Sequence, residues 1–113
     1  MMEKKTIYTP ASDAAKQLRK HLRQTFDHAF SVRVKQSGPF EILVVTWTDG
    51  PFYESVRQIA NYYLRRDAEG NQLYNKCADG VTYEVYLVEI VTLEHKFSTP
   101  EKQREAIERV YSK

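Results

Sequence analysis

Hydrophobic positions follow a helical period in three parts of the chain. From about 10 to 27 they recur every three or four residues, which places them on one face of a helix: Ala11, Ala14, Ala15, Leu18, Leu22 and Phe26. A second helix is predicted over about 51 to 65, with an inward face of Phe52, Val56, Ile59, Ala60 and Tyr63. A third is predicted to begin at Thr99-Pro100, with an inward face of Ala106, Ile107, Val110 and Tyr111.

Between these helices the pattern changes to that of strands. Residues 30–35 alternate apolar and polar side chains, so Arg33 and Lys35 point outward together. Residues 40–48 are apolar on both faces, which predicts a central strand. The short turn at 37–39 favours an antiparallel hairpin, because a parallel pair needs a long crossover. Residues 81–97 are dense in β-branched and aromatic side chains, which predicts one long strand; a bend or bulge within that strand is the alternative.

Turn and cap residues fit between these elements. Thr9 is predicted to cap the first helix with Pro10 at its first position, and Asp49-Gly50 is predicted to turn the chain so that Pro51 starts the second helix. Residues 67–80 carry two turn signals and only a weak apolar pattern. The sequence therefore predicts an α+β fold of order α-β-β-α-β-α, with a three-stranded, mainly antiparallel sheet packed by helices.

Length and composition limit the classes of protein. With 113 residues and 42 % hydrophobic content, residues 1–113 are expected to form a single globular domain, with 1–8 as a candidate flexible N-terminal segment. One cysteine excludes an internal disulfide framework, and no run approaches a membrane span. A soluble, cytoplasmic protein without a membrane partner is expected.

Charge is distributed unevenly although the net charge is only +2. Residues 1–40 carry eight Lys/Arg against three Asp/Glu, whereas residues 41–100 carry five against nine. On the first predicted helix, four cations share one solvent-facing stripe at i, i+3, i+4 and i+7: Lys16, Arg19, Lys20 and Arg23. These cations, with Arg33 and Lys35 if the first strand packs beside this helix, are the leading candidate for a partner or nucleic-acid surface. A solvated helix face is the alternative.

Weaker candidates lie elsewhere. Tyr62, Arg65 and Arg66, beside Tyr63, combine aromatic rings with cations as a stacking platform for single strands would, although core packing also explains Tyr63. No helix-turn-helix or RNA-recognition signature accompanies them.

The chemistry of a metal site or an enzyme is weakly represented. The three histidines and Cys77 match no familiar metal spacing, and His21 sits within the basic stripe, so no metal and no cofactor are expected. Lys76 could lower the pKa of the Cys77 thiol, but no base can be assigned to it. Asp49 and Glu54 suit a turn and a helix start better than a carboxylate pair. We expect no enzyme; one using Cys77 or a carboxylate is the weakest alternative.

Several segments together resemble the large polyvalent protein-associated domain, twenty-ninth of its series, of phages and conjugative elements. The matching segments are the helical 14–22, Phe-Ser-Val-Arg at 30–33, Val-Thr-Trp-Thr-Asp-Gly-Pro at 45–51 and Phe-Ser at 97–98. The similarity weakens across 67–80, where an aromatic Asp-Gly motif of the family is degenerate. The resemblance implies a mobile genetic element acting in a host cell, and it brings no activity with it.

Two functions follow as hypotheses. The first is a non-enzymatic protein that counters host defence by binding a host defence protein or nucleoprotein complex, in the host cytoplasm. The second is a nucleic-acid-binding accessory protein that uses the basic face of the first helix. Whether the acidic middle or the basic helix forms the interface is open at this stage, as is the oligomeric state.

Overall fold

The structure, a computed structural model, describes residues 5–111 apart from the side chains of 106 and 108–111. Three helices, Ala11–Phe26 (α1), Tyr53–Ala60 (α2) and Pro100–Tyr111 (α3), accompany the strands, and a 3₁₀ turn at Asn61–Tyr63 extends α2. The strands are Lys5–Thr9 (β1), Ser31–Ser37 (β2), Phe40–Thr48 (β3), Asn75–Lys76 (β4), Thr82–Tyr86 (β5) and Ile90–Lys96 (β6). The predicted α+β class and the order of the main elements are confirmed.

The strands form two mixed sheets of three strands. In one, with the order β2-β3-β6, β3 is central as predicted, pairing antiparallel with β2 and parallel with β6. The other has the order β1-β5-β4, with a parallel β1–β5 pair. The parallel β3–β6 pair is possible because α2, β4 and β5 supply the long crossover that such a pair needs. Residues 5–8, placed by the sequence in a flexible segment, belong to β1, and residues 1–4 lie outside the described part.

The helices α1 and α2 bury the faces that their periodicity predicts. On α1, Leu18 and Leu22 are fully buried, and Val56 and Ala60 of α2 join the same cluster. The sheet contributes Leu43, Val45 and Trp47, which are alternate residues of β3, and Val32 of β2. A single apolar layer therefore lies between α1 and one face of the β2-β3-β6 sheet.

The long strand predicted over 81–97 is two strands in different sheets, and side-chain parity explains the break. Tyr86, the last residue of β5, and Val88, just after it, belong to the core cluster, whereas Val85 is buried outside that cluster. In β6 the odd-numbered Val91 and Leu93 pack against the core, while Ile90 is 56 % exposed. A strand with a strict period of two cannot present both sets inward, so the chain must be interrupted between them.

Helix starts differ from the prediction at two of three places. Pro10 is the N-cap of α1 and Phe52 the N-cap of α2, so Pro10 and Pro51 precede their helices rather than opening them. Thr9 ends β1, and its hydroxyl donates to Glu84 Oε2 at 2.5 Å instead of capping α1. Only α3 begins as predicted, with Pro100 at its first position and Thr99 Oγ1 accepting from the Lys102 backbone N–H at 3.2 Å.

The third helix departs from its predicted packing. Ile107, expected to point inward, is 50 % exposed, and residues 100–105 are exposed as well. The other residues of that predicted apolar face, Ala106, Val110 and Tyr111, have side chains outside the described part. The predicted inward face of α3 is therefore not buried at Ile107, the one member of that face whose side chain is described.

The turn after β3 is held by two histidines. Asp49 and Gly50 both have left-handed backbones, with φ of 55° and 64°. The Nε2 atoms of His28 and His95 lie 2.9 Å and 2.8 Å from the Thr48 and Asp49 carbonyl oxygens, so each ring donates to a turn carbonyl. Inside the turn, the Trp47 indole N–H donates to the Pro51 carbonyl at 3.0 Å.

Gly50→Ala is expected to destabilise the fold by about 2 to 4 kcal/mol, since a left-handed alanine costs about 1 to 2 kcal/mol before any clash. A Cβ at Gly50 would lie 2.6 Å from His28 ring atoms, so the ring must also move. Gly38→Ala is the matched control, because Gly38 has φ of 58° and open space around it. Urea unfolding followed by Trp47 fluorescence measures both; equal losses of stability would show that the His28 contact contributes nothing.

Candidate functional site

The basic stripe of Lys16, Arg19, Lys20 and Arg23 lies on the side of α1 opposite its buried residues. Lys16, Lys20 and Arg23 are exposed and Arg19 is partly exposed. Leu18 and Leu22, which alternate with them along the helix, are fully buried against the sheet. The stripe therefore faces solvent, as the periodicity predicts.

None of these four cations forms an ion pair with a carboxylate that the structure describes. Arg23 donates from Nη2 to the Phe30 carbonyl at 3.3 Å, a contact that leaves its charge without an acidic partner. At the N-terminal end, Lys16 borders an open cleft of about 470 Å³ that Asp13 and Glu84 also line. Two carboxylates therefore lie near the Lys16 end of the stripe.

Arg33 and Lys35 do not join the stripe. Val32 points into the core toward α1, so its neighbours on β2 project from the opposite face of the sheet. Arg33 there pairs with Glu94 on β6, with 3.7 Å between Nη2 and Oε2. The six cations that the sequence groups together therefore form two surfaces on opposite sides of one packed layer.

The weaker aromatic and basic candidate is also divided. Tyr62 is 64 % exposed, whereas Arg65 Nη1 lies 3.5 Å from Glu89 Oε1 in a partly buried pair. Arg66 donates to the Gly70 carbonyl at 3.4 Å, within a short hairpin. Tyr62 and Arg66 are both exposed while Arg65 is engaged with Glu89, so a stacking platform on these residues stays a prediction.

The histidines and the cysteine each have their own environment. His21 Nδ1 lies 3.1 Å from the Tyr63 hydroxyl, while His28 and His95 bind turn carbonyls. Among the side chains that the structure describes, no three of His, Cys, Asp or Glu come together as a metal site. Burial, Glu84 and Asp79 raise the pKa of the Cys77 thiol, contrary to the lowering that Lys76 was expected to produce.

A partly buried polar network links β1, α1 and β5 around Glu84. Its carboxylate accepts hydrogen bonds from Thr9, from Gln17 Nε2 at 3.4 Å and from the Tyr86 hydroxyl at 3.0 Å. Burial, together with the Glu84 hydrogen bond, raises the pKa of Tyr86. The Tyr86 hydroxyl is 2.8 Å from Gln17 Oε1 as well, so Glu84 connects the two sheets through α1.

A small cleft of about 270 Å³ lies at the carboxyl ends of β3 and β6, lined by Asp49, His95, Phe97 and Lys102 among others. The Asp49 carboxylate accepts from the Ser98 backbone N–H at 3.0 Å and from its hydroxyl at 2.5 Å. These two bonds lower the pKa of Asp49. The sequence did not predict this pairing, because the two residues are 49 positions apart and only the parallel β3–β6 register brings them together.

The acidic middle of the chain is largely engaged in internal contacts. Of the nine Asp and Glu residues in 41–100, seven accept a hydrogen bond or form an ion pair: Asp49, Glu54, Asp67, Asp79, Glu84, Glu89 and Glu94. Glu54 pairs with Arg57 and not with Asp49. An arginine opposes the charge of only three of these groups, Glu54, Glu89 and Glu94; the other four accept from neutral donors and keep their charge.

Asp49→Asn is expected to destabilise the fold more at about pH 7 than at about pH 3. A carboxylate whose pKa is lowered on folding stabilises the folded state above its ordinary pKa, and that contribution is lost as the pH falls through the lowered value. Asparagine tolerates the left-handed backbone, so the substitution tests the charge and its bonds. Asp27→Asn is the control, because Asp27 also has a left-handed φ, 48°. A stability difference for Asp49→Asn that is equal at both pH values would contradict this account.

Comparison with known proteins gives the family. No helix that the structure describes is long and apolar enough to cross a membrane. No curated protein and no solved structure matches the chain. The family model of large polyvalent protein associated domain 29 matches residues 9–99, from the end of β1 to the start of α3. This span is most of the chain and includes α1, α2, the strands β2 to β6 and the turn at 47–51, so the protein belongs to that family, whose members are domains of polyvalent proteins from phages and mobile elements.

Proposed function

We propose that this domain is a non-catalytic binding protein with which a phage or other mobile element counters a host defence. Its binding surface is the basic stripe of α1, and its partner is an acidic surface of a host defence protein or nucleoprotein complex in the cytoplasm. The observation that carries the proposal is the contrast between the stripe, in which four cations share one helix face, and the three arginines that form described ion pairs elsewhere. Arg33, Arg57 and Arg65 each pair with a carboxylate, whereas the four stripe cations pair with none of the described ones.

Electrostatics supports a role in association. Exposed charges of one sign on one helix face steer an oppositely charged partner and raise the rate of encounter. The rigid helix holds the four cations at fixed spacing, because Leu18 and Leu22 anchor the opposite face. A partner then meets a preorganised row of positive charges and loses less conformational entropy on binding.

The test compares two variants with the same change of charge. In the first variant Lys16, Arg19 and Lys20 are all changed to Gln. It should capture about tenfold less, or less still, of a stoichiometric host protein from nuclease-treated lysate, since interface charges steer and specify association. The control variant changes Lys5, Lys76 and Arg104 to Gln. These residues are exposed outside the stripe, so the control should capture as much host protein as the wild type does. Absence of a stoichiometric partner, or equal capture by both variants, would count against the proposal.

Direct binding of a nucleic-acid backbone is the second candidate, and the same unpaired cations favour it. Four phosphate contacts should weaken binding about 100-fold between 50 and 200 mM salt. Fluorescence anisotropy with single- and double-stranded DNA and RNA measures this, and the triple Gln variant should flatten the salt dependence. No binding at 50 mM salt would exclude the candidate, while leaving protein capture to be decided by the lysate experiment.

A further inference from the structure

In the part of the chain that the structure describes, α1 and α2 pack on the inner face of the β2-β3-β6 sheet, and most residues of its outer face are exposed. The strand registers place on it the even-numbered residues of β3 and β6 and the odd-numbered residues of β2. We call this surface the open face; its exposed members include Arg33, Lys35, Phe40, Ile90, Thr92, Glu94 and Lys96. Seven-residue strands about 4.8 Å apart make it about 23 Å long and about 10 Å wide.

One end of the open face is apolar. Phe40 is 51 % exposed and Ile90 is 56 % exposed, and Ile42, which pairs with Ile90 in the register, lies beside them. Val44, one step further along β3 on the same face, is 5 % exposed. Half-exposed aromatic and aliphatic side chains around a buried centre resemble the core of a protein interface.

The charges on the open face are unequal. Arg33, Lys35 and Lys96 are positive, and Glu94 alone is negative among the face residues. The Glu94 carboxylate is already in contact with Arg33 and accepts from Thr46 Oγ1 at 3.3 Å. Lys35, which pairs with Ile42 in the register, therefore places a positive charge without a described acidic partner next to the apolar end.

We propose that the open face is a second binding surface, and that it takes a protein segment with Asp or Glu beside aliphatic or aromatic side chains. Such a segment matches both the apolar end and the positive charge of the face. A second copy of this face would meet like charge, which disfavours self-association. A single-stranded nucleic acid would find one aromatic ring, Phe40, whereas stacking of successive bases needs several.

The surface lies apart from the basic stripe, so the inference does not depend on the function proposed for the stripe.

Two independent sets of substitutions test the proposed binding surface. Phe40→Ser with Ile90→Thr removes the apolar end, and Lys35→Glu with Lys96→Glu reverses the charge. The controls change exposed residues outside the face: Tyr8→Ser with Tyr74→Ser, and Lys5→Glu with Lys76→Glu. Thermal unfolding confirms that each variant is folded.

The probe is a displayed library of random peptides, selected on the wild-type domain. Selected peptides should combine acidic with aliphatic or aromatic residues, and either set of face substitutions should weaken their binding at least about tenfold, as loss of interface anchors does. The control pairs and the triple Gln variant of the stripe should bind as the wild type does.

Three results would overturn the proposal. The first is the absence of any selected peptide, or selection of peptides whose binding the face substitutions leave unchanged. The second is binding of a 20-nucleotide oligo-dT that the Phe40 and Lys35 variants abolish, which would assign the face to nucleic acid. The third is a concentration-dependent dimer in sedimentation that the same variants dissociate, which would assign it to a second copy.

Discussion

The fold depends on how the chain reverses after β3. Trp47 is 2 % exposed, and its indole ring stacks on His95 of the neighbouring parallel strand with ring centroids 4.4 Å apart. His95 in turn donates to the carbonyl of Asp49, and the Asp49 carboxylate binds Ser98 ahead of α3. The family motif is thus a junction at which β3, β6 and the start of α3 are fixed to one another. Phe30, tilted against Trp47 at 5.8 Å, adds the start of β2 to it.

Placement of α1 on one side of the sheet determines what the other side can do. Val32, Leu43 and Val45 are committed to the core by their contact with α1, so the alternate residues of the same strands must face outward. Arg33 is therefore separated from the basic stripe by a close-packed layer about 10 Å thick. At physiological salt the Debye length is about 8 Å, so solvent-exposed charges on the two surfaces are largely screened from each other.

Residues whose partners are local in sequence could be predicted well. The buried faces of α1 and α2 and the β2–β3 hairpin follow from short-range periodicity and turn length. The division of 81–97 could not, because Val85 and Tyr86, on opposite faces, are both buried and leave no visible period. Nor could the second sheet, which needs residues 5–9 to pair with 82–86 across most of the chain. The four-residue basic stripe is intrinsic to α1, whereas the separation of Arg33 and Lys35 from it depends on tertiary packing.

Net charge is a poor guide to binding in this domain because its charges differ in availability. Glu84 accepts a hydrogen bond from Thr9. Glu89 and Glu94 form ion pairs with Arg65 and Arg33. These carboxylates therefore act mainly on the stability of the fold. Lys20 and Lys35 have no such described partner and are exposed to solvent, so their charges are open to an acidic partner. A chain of net charge +2 therefore presents two separately basic surfaces to its surroundings, and an acidic partner would encounter a potential well above that implied by composition.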